Sequence, residues 1–148
     1  MAELNFTSLN TYRVMSYMNT KGVKILSTIV RMGRKDTYTD NSTSGGISCG
    51  VGKDGRLNTT GFQLSGDLFT STDDGRKFDT IILPFMDEIE VTVKKLHEKA
   101  PHFKIISWDL AINSNEEIVL IEYNIKGQDI NFHQLNNGPV LSEILEIL

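Results

Sequence analysis

The stretch IISWDLAINSNEEIVLIEYN, residues 105–124, decides the fold of this 148-residue chain. Two apolar runs flank a polar turn, and this pattern predicts an antiparallel β-hairpin. The first strand covers about Lys104–Ile112 and the second about Ile118–Asn124. A turn of about four residues, Ser114–Glu117, is a common hairpin length and sets the register between the two strands.

In that register Asp109 falls directly opposite Glu122, and Asn124 falls opposite Ser107, because side chains alternate between the faces of a strand. Facing like charges destabilise a sheet by up to about 1 kcal/mol. A divalent cation would reverse the sign of the interaction, and carboxylate and amide oxygens suit Mg²⁺. Two solvent-exposed acids on a polar face fit the spacing equally well. Without a bound cation the two carboxylates are expected to repel each other, so that one has a raised pKa and Asp109→Asn leaves stability unchanged or slightly higher.

Composition bounds the class of protein. A chain of 148 residues is long enough for one domain with a core, residues 1–148, and the net charge of −4 argues against general nucleic-acid binding. The single cysteine, Cys49, excludes an internal disulfide and fits a cytoplasmic location. Neither a signal peptide nor an apolar run of the roughly 20 residues that span a bilayer is evident.

A second hairpin is predicted near the N-terminus, with strands at Asn10–Met18 and Val23–Val30 joined by a turn that ends in glycine. Arg13 lies in the first strand and Arg31 directly follows the second. Guanidinium groups donate paired hydrogen bonds to oxyanions, so both arginines are candidate phosphate ligands. Spacing alone does not show that they meet.

Three further segments complete the pattern. The polar stretch Arg34–Gly46 is a predicted loop, and Lys53–Gly55 is a hairpin turn, although the surrounding glycines superficially resemble a phosphate-binding loop. Residues Thr59–Asp79 indicate a surface excursion. An apolar stripe predicts one long helix at Pro84–Lys99, and a short amphipathic helix follows at Val140–Leu148. The predicted fold class is therefore α+β, a mainly antiparallel sheet packed on one long helix.

From about Ser8 to Pro139 the chain resembles the ATP-grasp superfamily, and within it the family associated with sugar transfer. Six motifs occur in the family's order. They are Thr11-x-Arg13, Arg31-x-Gly33, Asp40-Asn41 followed by Gly45-Gly46-Ile47, Lys95-Leu96-His97, Trp108-Asp109 and Glu122-x-Asn124. The resemblance implies the C-terminal, ATP- and Mg²⁺-binding lobe of that fold.

What the resemblance implies for the site can be stated by residue. The implied cofactors are ATP and Mg²⁺, and the implied metal ligands are Asp109, Glu122 and Asn124. Arg13 and Arg31 take the catalytic role of contacting phosphate or an acyl phosphate.

The loop implied to lie over the nucleotide phosphates includes Asn41, Gly45 and Gly46, whose glycines allow close backbone approach. After the metal hairpin, Ile125–Asp129 replaces the Pro-Gly loop that holds the acceptor in many members. The identity of the small carboxylate substrate is therefore not implied.

An ATP-grasp site lies between two lobes, and the region that holds adenine is expected on an N-terminal lobe that this chain lacks. The implied parent is a carboxylate–amine ligase that works through an acyl phosphate in polysaccharide or cell-surface sugar biosynthesis. The chain alone is expected to bind ATP weakly and to lack ligase activity, with an open apolar face that the second lobe or a homodimer would cover. The alternative is a non-catalytic ATP-grasp-like binding or assembly module.

Overall fold

The two predicted hairpins lie side by side at the centre of one antiparallel sheet. The structure is a computed structural model that describes residues 10–34 and 45–145. The N-terminal hairpin consists of β1, Thr11–Asn19, and β2, Gly22–Met32. The later β6, Ile105–Ile112, and β7, Ile118–Asn124, form the second hairpin, and β6 pairs with β1. Both hairpin predictions are confirmed, with boundaries within two residues of those expected.

Three shorter strands extend the sheet beyond β2. They are β3, Ile47–Val51, β4, Leu57–Phe62, and β5, Leu68–Phe69, and the strand order is β5-β4-β3-β2-β1-β6-β7. The predicted turn between β3 and β4 is confirmed, because the Gly55 amide donates to the Gly52 carbonyl at 2.9 Å.

The expectation that Thr59–Asp79 is a surface excursion is wrong in part. The segment ends in a short 3-10 helix, Phe78–Thr80, and the Phe78 side chain is fully buried in the core. A single aromatic residue within a polar stretch carries no periodicity, so the sequence pattern could not reveal its burial.

Three helices complete the described part of the chain: α1, Met86–Glu98, α2, Ile130–Asn137, and α3, Ser142–Leu145. The α+β class is confirmed, whereas one long helix is not. The main helix α1 has 13 residues and begins after Phe85, whose φ of 63° is left-handed. Within residues 10–34 and 45–145, no helix has the length and apolar character needed to cross a membrane.

The two faces of the sheet differ in chemistry. On one face α1 packs against β1 and β2, and its Ile89 and Val93 join Tyr12 and Val14 in the core. On the other face α2 packs against β2, β3 and β4. The part of that second face beside α2 carries the polar side chains described next.

Candidate functional site

The site occupies one cross-strand row on the face that bears α2. In the register of the sheet, Glu122 of β7 lies opposite Asp109 of β6, and Asp109 lies opposite Arg13 of β1. Arg31 of β2 lies opposite Thr11, one step further along the same face. Residues directly opposite each other in a sheet point to the same side. Folding therefore brings together the predicted acids and arginines, and the predicted pairing of Asp109 with Glu122 is confirmed.

Arg13 and Asp109 form a two-pronged, buried ion pair. Arg13 Nε donates to Asp109 Oδ1 and Arg13 Nη2 donates to Oδ2, both at 2.7 Å. Arg31 Nη2 donates to the same Oδ2 at 3.2 Å. One carboxylate therefore fixes both arginines of the site.

Asp109 is fully buried, which rules out the alternative that it is a solvent-exposed acid. Burial by itself would raise its pKa, but the hydrogen bonds from Arg13 and the charges of Arg31 and Arg13 hold the pKa below its ordinary value. The expectation of a raised pKa is therefore wrong at Asp109. The positive charges of the two arginines offset the repulsion between the facing acids.

Arg13 is the centre of the cluster. Its Nη1 donates to Asp129, which comes from the loop before α2, and its Nη2 lies 3.8 Å from Glu122 Oε1. Burial opposes the charge of Arg13, yet hydrogen bonds and charge from Asp109 and Asp129 outweigh it and raise the pKa of Arg13. The guanidinium therefore stays charged at every physiological pH.

Glu122 and Asn124 form the open side of the site. The Glu122 side chain is 57% exposed, and its Oε1 accepts a hydrogen bond from Asn124 Nδ2 at 3.3 Å. Ser107, which pairs with Asn124 as predicted, donates instead to the Gln128 carbonyl at 3.1 Å. The three predicted metal ligands thus share one face of two adjacent strands.

A small pocket lies beside the two arginines. Its volume is about 10 Å³, and its lining includes Arg13, Arg31, Gly46, Ser48 and Phe132. That space admits about one water molecule. Gly46 therefore lines the same pocket as the two arginines, and its role at phosphate stays a prediction.

The other two predicted loop residues are placed differently. Gly45 has a φ of 83°, and its carbonyl accepts a hydrogen bond from Gln63 Nε2. It lies at a separate opening lined by Arg34 and Asp73. Asn41 lies outside the described residues, so its role stays a prediction.

Comparison of the sequence with models of protein families identifies the family of this chain. The model of the family described as sugar-transfer associated ATP-grasp matches residues 1–147. The chain belongs to the sugar-transfer associated ATP-grasp family. Comparisons with curated proteins and with solved structures gave no match.

Members of the ATP-grasp superfamily use Mg²⁺ with ATP, and the residues of this ATP-grasp domain fit such an ion. Glu122 is open to solvent and Asn124 carries an amide oxygen, whereas both oxygens of Asp109 accept hydrogen bonds from arginines, so the role of Asp109 as a metal ligand stays a prediction. Hard oxygen donors of this kind, few in number, are what Mg²⁺ uses when phosphates and water complete its shell. Within the described residues, no group of three His, Cys, Asp or Glu side chains could hold a metal ion. A magnesium site here would therefore depend on the nucleotide.

Sequence reasoning missed the contribution of α2 to the site of this ATP-grasp domain. His133 is fully buried, and its Nδ1 lies 2.8 Å from Ser27 Oγ. Burial and the nearby charge of Arg13 lower the pKa of His133 to about 3, so the imidazole is neutral. Its Nε2 is one of the buried polar atoms without a hydrogen-bond partner among the described residues.

Asp129 was also missed, although the segment Ile125–Asp129 stands out because it replaces the Pro-Gly loop of many ATP-grasp proteins. Nothing in the local sequence shows that this acid meets Arg13, which lies 116 residues away. The pairing depends on how α2 docks, and a sequence pattern does not contain that information.

Proposed function

We propose that this domain is the C-terminal lobe of an ATP-grasp ligase, in which ATP phosphorylates a carboxylate and a nucleophile then attacks the acyl phosphate. In the first step a carboxylate oxygen attacks the γ-phosphorus and ADP leaves. In the second step the nitrogen of an amine, or a related nucleophile, attacks the acyl carbon and phosphate leaves. The proposal rests above all on the meeting of Arg13, Arg31, Asp109 and Glu122 on one sheet face.

The role of each side chain in the proposal follows from its surroundings. Arg31, beside the pocket with the Gly46 backbone, would pair with a phosphate oxygen, and Arg13 would orient the transferred group. Asp109 holds both guanidinium groups in fixed positions. Glu122 and Asn124 would hold Mg²⁺, which when bound would neutralise part of the phosphate charge.

The family description, sugar-transfer associated, supports the further proposal that the carboxylate serves polysaccharide or cell-surface sugar biosynthesis. ATP and a small carboxylate are then the ligands, and the reaction takes place in the cytoplasm, where ATP is made. A second ATP-grasp lobe would supply the adenine contacts.

A non-catalytic module is the second candidate function, and one observation favours it. Asp109 is saturated at Oδ2 by two arginines, as expected for a cluster that only stabilises the sheet. In that case the family fold would be retained for binding or assembly, and Glu122 would not bind a metal ion.

Trapping with hydroxylamine distinguishes the two functions. The full-length protein encoded by the gene would be incubated with Mg·ATP, hydroxylamine and a set of sugar acids and amino acids. An acyl phosphate reacts with hydroxylamine to give a hydroxamate, and ADP is released in equal amount. We expect both products from the native protein, and a reduction of at least about tenfold in Glu122→Gln, because one metal ligand is weakened.

Glu98→Gln is the matched control, since it removes one exposed acid from α1 on the opposite face. ADP and hydroxamate formation that is equal in Glu122→Gln and in the native protein would reject the proposed metal role. Nucleotide binding without either product for any carboxylate would favour the non-catalytic module.

A further inference from the structure

Asp129 occupies the N-cap position of α2 but does not cap the helix. An aspartate at this position ordinarily accepts a hydrogen bond from an amide of the first helical turn. Here the side chain makes no such bond and instead accepts one from Arg13 Nη1. The helix therefore forgoes a local stabilising contact, and the carboxylate is directed into the site.

The backbone of Asp129 is also held in an unfavourable conformation. Its φ of 52° and ψ of 44° lie in the left-handed region, which aspartate adopts less readily than glycine but more readily than most other residues. Gln128 fixes the loop to the sheet, because its Nε2 donates to the Ile105 carbonyl at 3.0 Å and its own carbonyl accepts from Ser107 Oγ. Strain that is maintained by such anchors is typical of functional loops.

The two aspartates on Arg13 differ in how firmly they are held. Asp109 is fully buried and takes two hydrogen bonds from Arg13, so it cannot leave without unfolding part of the sheet. Asp129 takes one hydrogen bond from Arg13, its side chain is 42% exposed, and it belongs to a loop. Of these two aspartates, Asp129 is the one that another anion can replace at modest cost.

The space beside Asp129 supports this exchange. The pocket next to Arg13 and Arg31 has a volume of about 10 Å³, and Asp129 forms part of its wall. A phosphate group is larger than the single water molecule that fits there. An anion that pairs with both arginines therefore needs the volume that the Asp129 carboxylate occupies.

We propose that Asp129 is an internal competitor for anions, which holds Arg13 in place until the phosphoryl or carboxylate group of a substrate displaces it. Displacement turns the Asp129 side chain away from Arg13 and frees its volume beside the pocket, while Gln128 keeps the loop on the sheet. A multiply charged oxyanion competes better than a monovalent one, because it offers more charge and more acceptor oxygens to the arginines. The nature of the physiological anion rests on the proposed function, whereas the competition on Arg13 does not.

The test is the affinity of the 148-residue chain for inorganic phosphate, with and without the Asp129 carboxylate. Binding would be followed by NMR through the Arg13 side-chain Nε–H and the Gly46 amide, at constant ionic strength and pH 7.5. We expect Asp129→Asn to bind phosphate about tenfold more tightly than the native chain, because a competing charge is removed. Acetate should bind more weakly than phosphate in both chains.

Two further variants separate competition from a merely structural effect. Asp129→Gly removes the carboxylate and suits a φ of 52°, so it should gain phosphate affinity without losing stability. Glu98→Gln loses one exposed acid from α1 and should bind phosphate like the native chain. A residue that only supports the fold would lower affinity when replaced.

Unchanged or weaker phosphate binding in Asp129→Asn, or no binding to any variant, would overturn the proposal. Tighter phosphate binding together with no hydroxamate formation by the full-length protein would preserve the competition on Arg13 and reject the ligase. Hydroxamate formation without a gain in phosphate affinity would support the ligase and reject the competition on Arg13.

Discussion

Asp109 and Glu122 face each other across two strands, yet their surroundings are opposite. Asp109 is fully buried between Arg13 and Arg31, whereas the Glu122 side chain is 57% exposed. A buried carboxylate without partners would be very unstable, and here the two arginines make its ionised form the favoured one. The pair is thus one structural acid and one acid available to a ligand.

The structure reverses the expected effect of Asp109→Asn on stability. Breaking a buried ion pair by removing one partner leaves the other charge uncompensated, which costs about 3–5 kcal/mol. We expect a loss of this size in the free energy of unfolding, measured by urea denaturation of the chain. Glu122→Gln should change it by about 0.5 kcal/mol or less, because an exposed side chain is replaced by one of the same shape.

Equal stability of Asp109→Asn and the native chain would mean that Arg13 and Arg31 find other partners when the carboxylate is lost. It would also restore the original expectation from sequence, in which repulsion between the two acids dominates.

His133 gives the fold a dependence on pH. Its pKa in the folded protein is about 3, below the ordinary value of 6.5, because of burial and the charge of Arg13. The unfolded chain therefore takes up a proton at His133 between these values, and stability falls as pH falls below about 6.5. Above that pH His133 is neutral in both the folded and the unfolded chain, and its contribution to stability is fully present.

We expect the native chain to lose about 2 kcal/mol more than His133→Asn in the free energy of unfolding between pH 7.5 and pH 5. Asn is chosen because it keeps a polar partner for Ser27. Asp109 does not contribute to this window, since its pKa lies below its ordinary acidic value. If the free energies of unfolding of the native chain and of His133→Asn changed in parallel with pH, His133 would take up a proton in the folded state as well.

At the scale of elements, hydrophobic periodicity predicts the hairpins and α1 but not α2. The sequence of α2 is INFHQLNN, and its buried residues are Phe132, His133 and Asn136. These positions have helical spacing, but two of them are polar and carry no apolar stripe. Such a helix is held by hydrogen bonds to the sheet, as when Asn136 donates to Ser48 Oγ at 2.8 Å.

The close approach of α2 to β3 requires glycine at position 50. A Cβ atom there would lie 2.1 Å from Asn137 Oδ1 and 2.9 Å from the Asn136 carbonyl. We expect Gly50→Ala to cost about 1–3 kcal/mol and to push α2 away from the sheet. Hydrogen exchange should become faster in the amides of α2 and remain unchanged in α1, which lies on the opposite face and serves as the internal control.

Equal protection of α2 in Gly50→Ala and the native chain would show that Asn58 and Asn137 can rearrange to admit a methyl group. In that case the helix would be docked by hydrogen bonds alone, and the shape of the β3 surface would matter little.

At the scale of the whole molecule, the sequence predicts which strands pair within each hairpin but not how the hairpins meet. The facing of Asp109 and Glu122 is predicted from the turn, but the register next to the turn differs by one residue, because Ile112 pairs with Ile118. A register shift between Asp109 and Leu110 restores the predicted pairing. The facing of Arg13 and Asp109, which lie 96 positions apart in the sequence, depends on the pairing of β1 with β6. Family resemblance supplied that part of the site, because no local pattern specifies a long-range register.

The edge of the sheet leads to the last prediction. In the described part of the chain β7 pairs only with β6, so one side of its backbone is open. Edge strands are usually protected by Lys, Pro, a bulge or a short length. The strand β7 has seven residues with Glu122 as its one charged residue, and its pairing with β6 has one register shift, between Asp109 and Leu110. Val119, Ile121 and Tyr123 are 38%, 48% and 55% exposed.

These features fit a second copy of the chain. Antiparallel pairing of two β7 strands through their open backbone groups would cover the exposed apolar side chains of both copies. We expect the native chain to dimerise reversibly in sedimentation velocity over a wide concentration range. Ile121→Lys should sediment as a monomer, while Val91→Lys, at a position 49% exposed on α1, should still dimerise. A native chain that is monomeric at every concentration would show that this edge does not pair with a second copy.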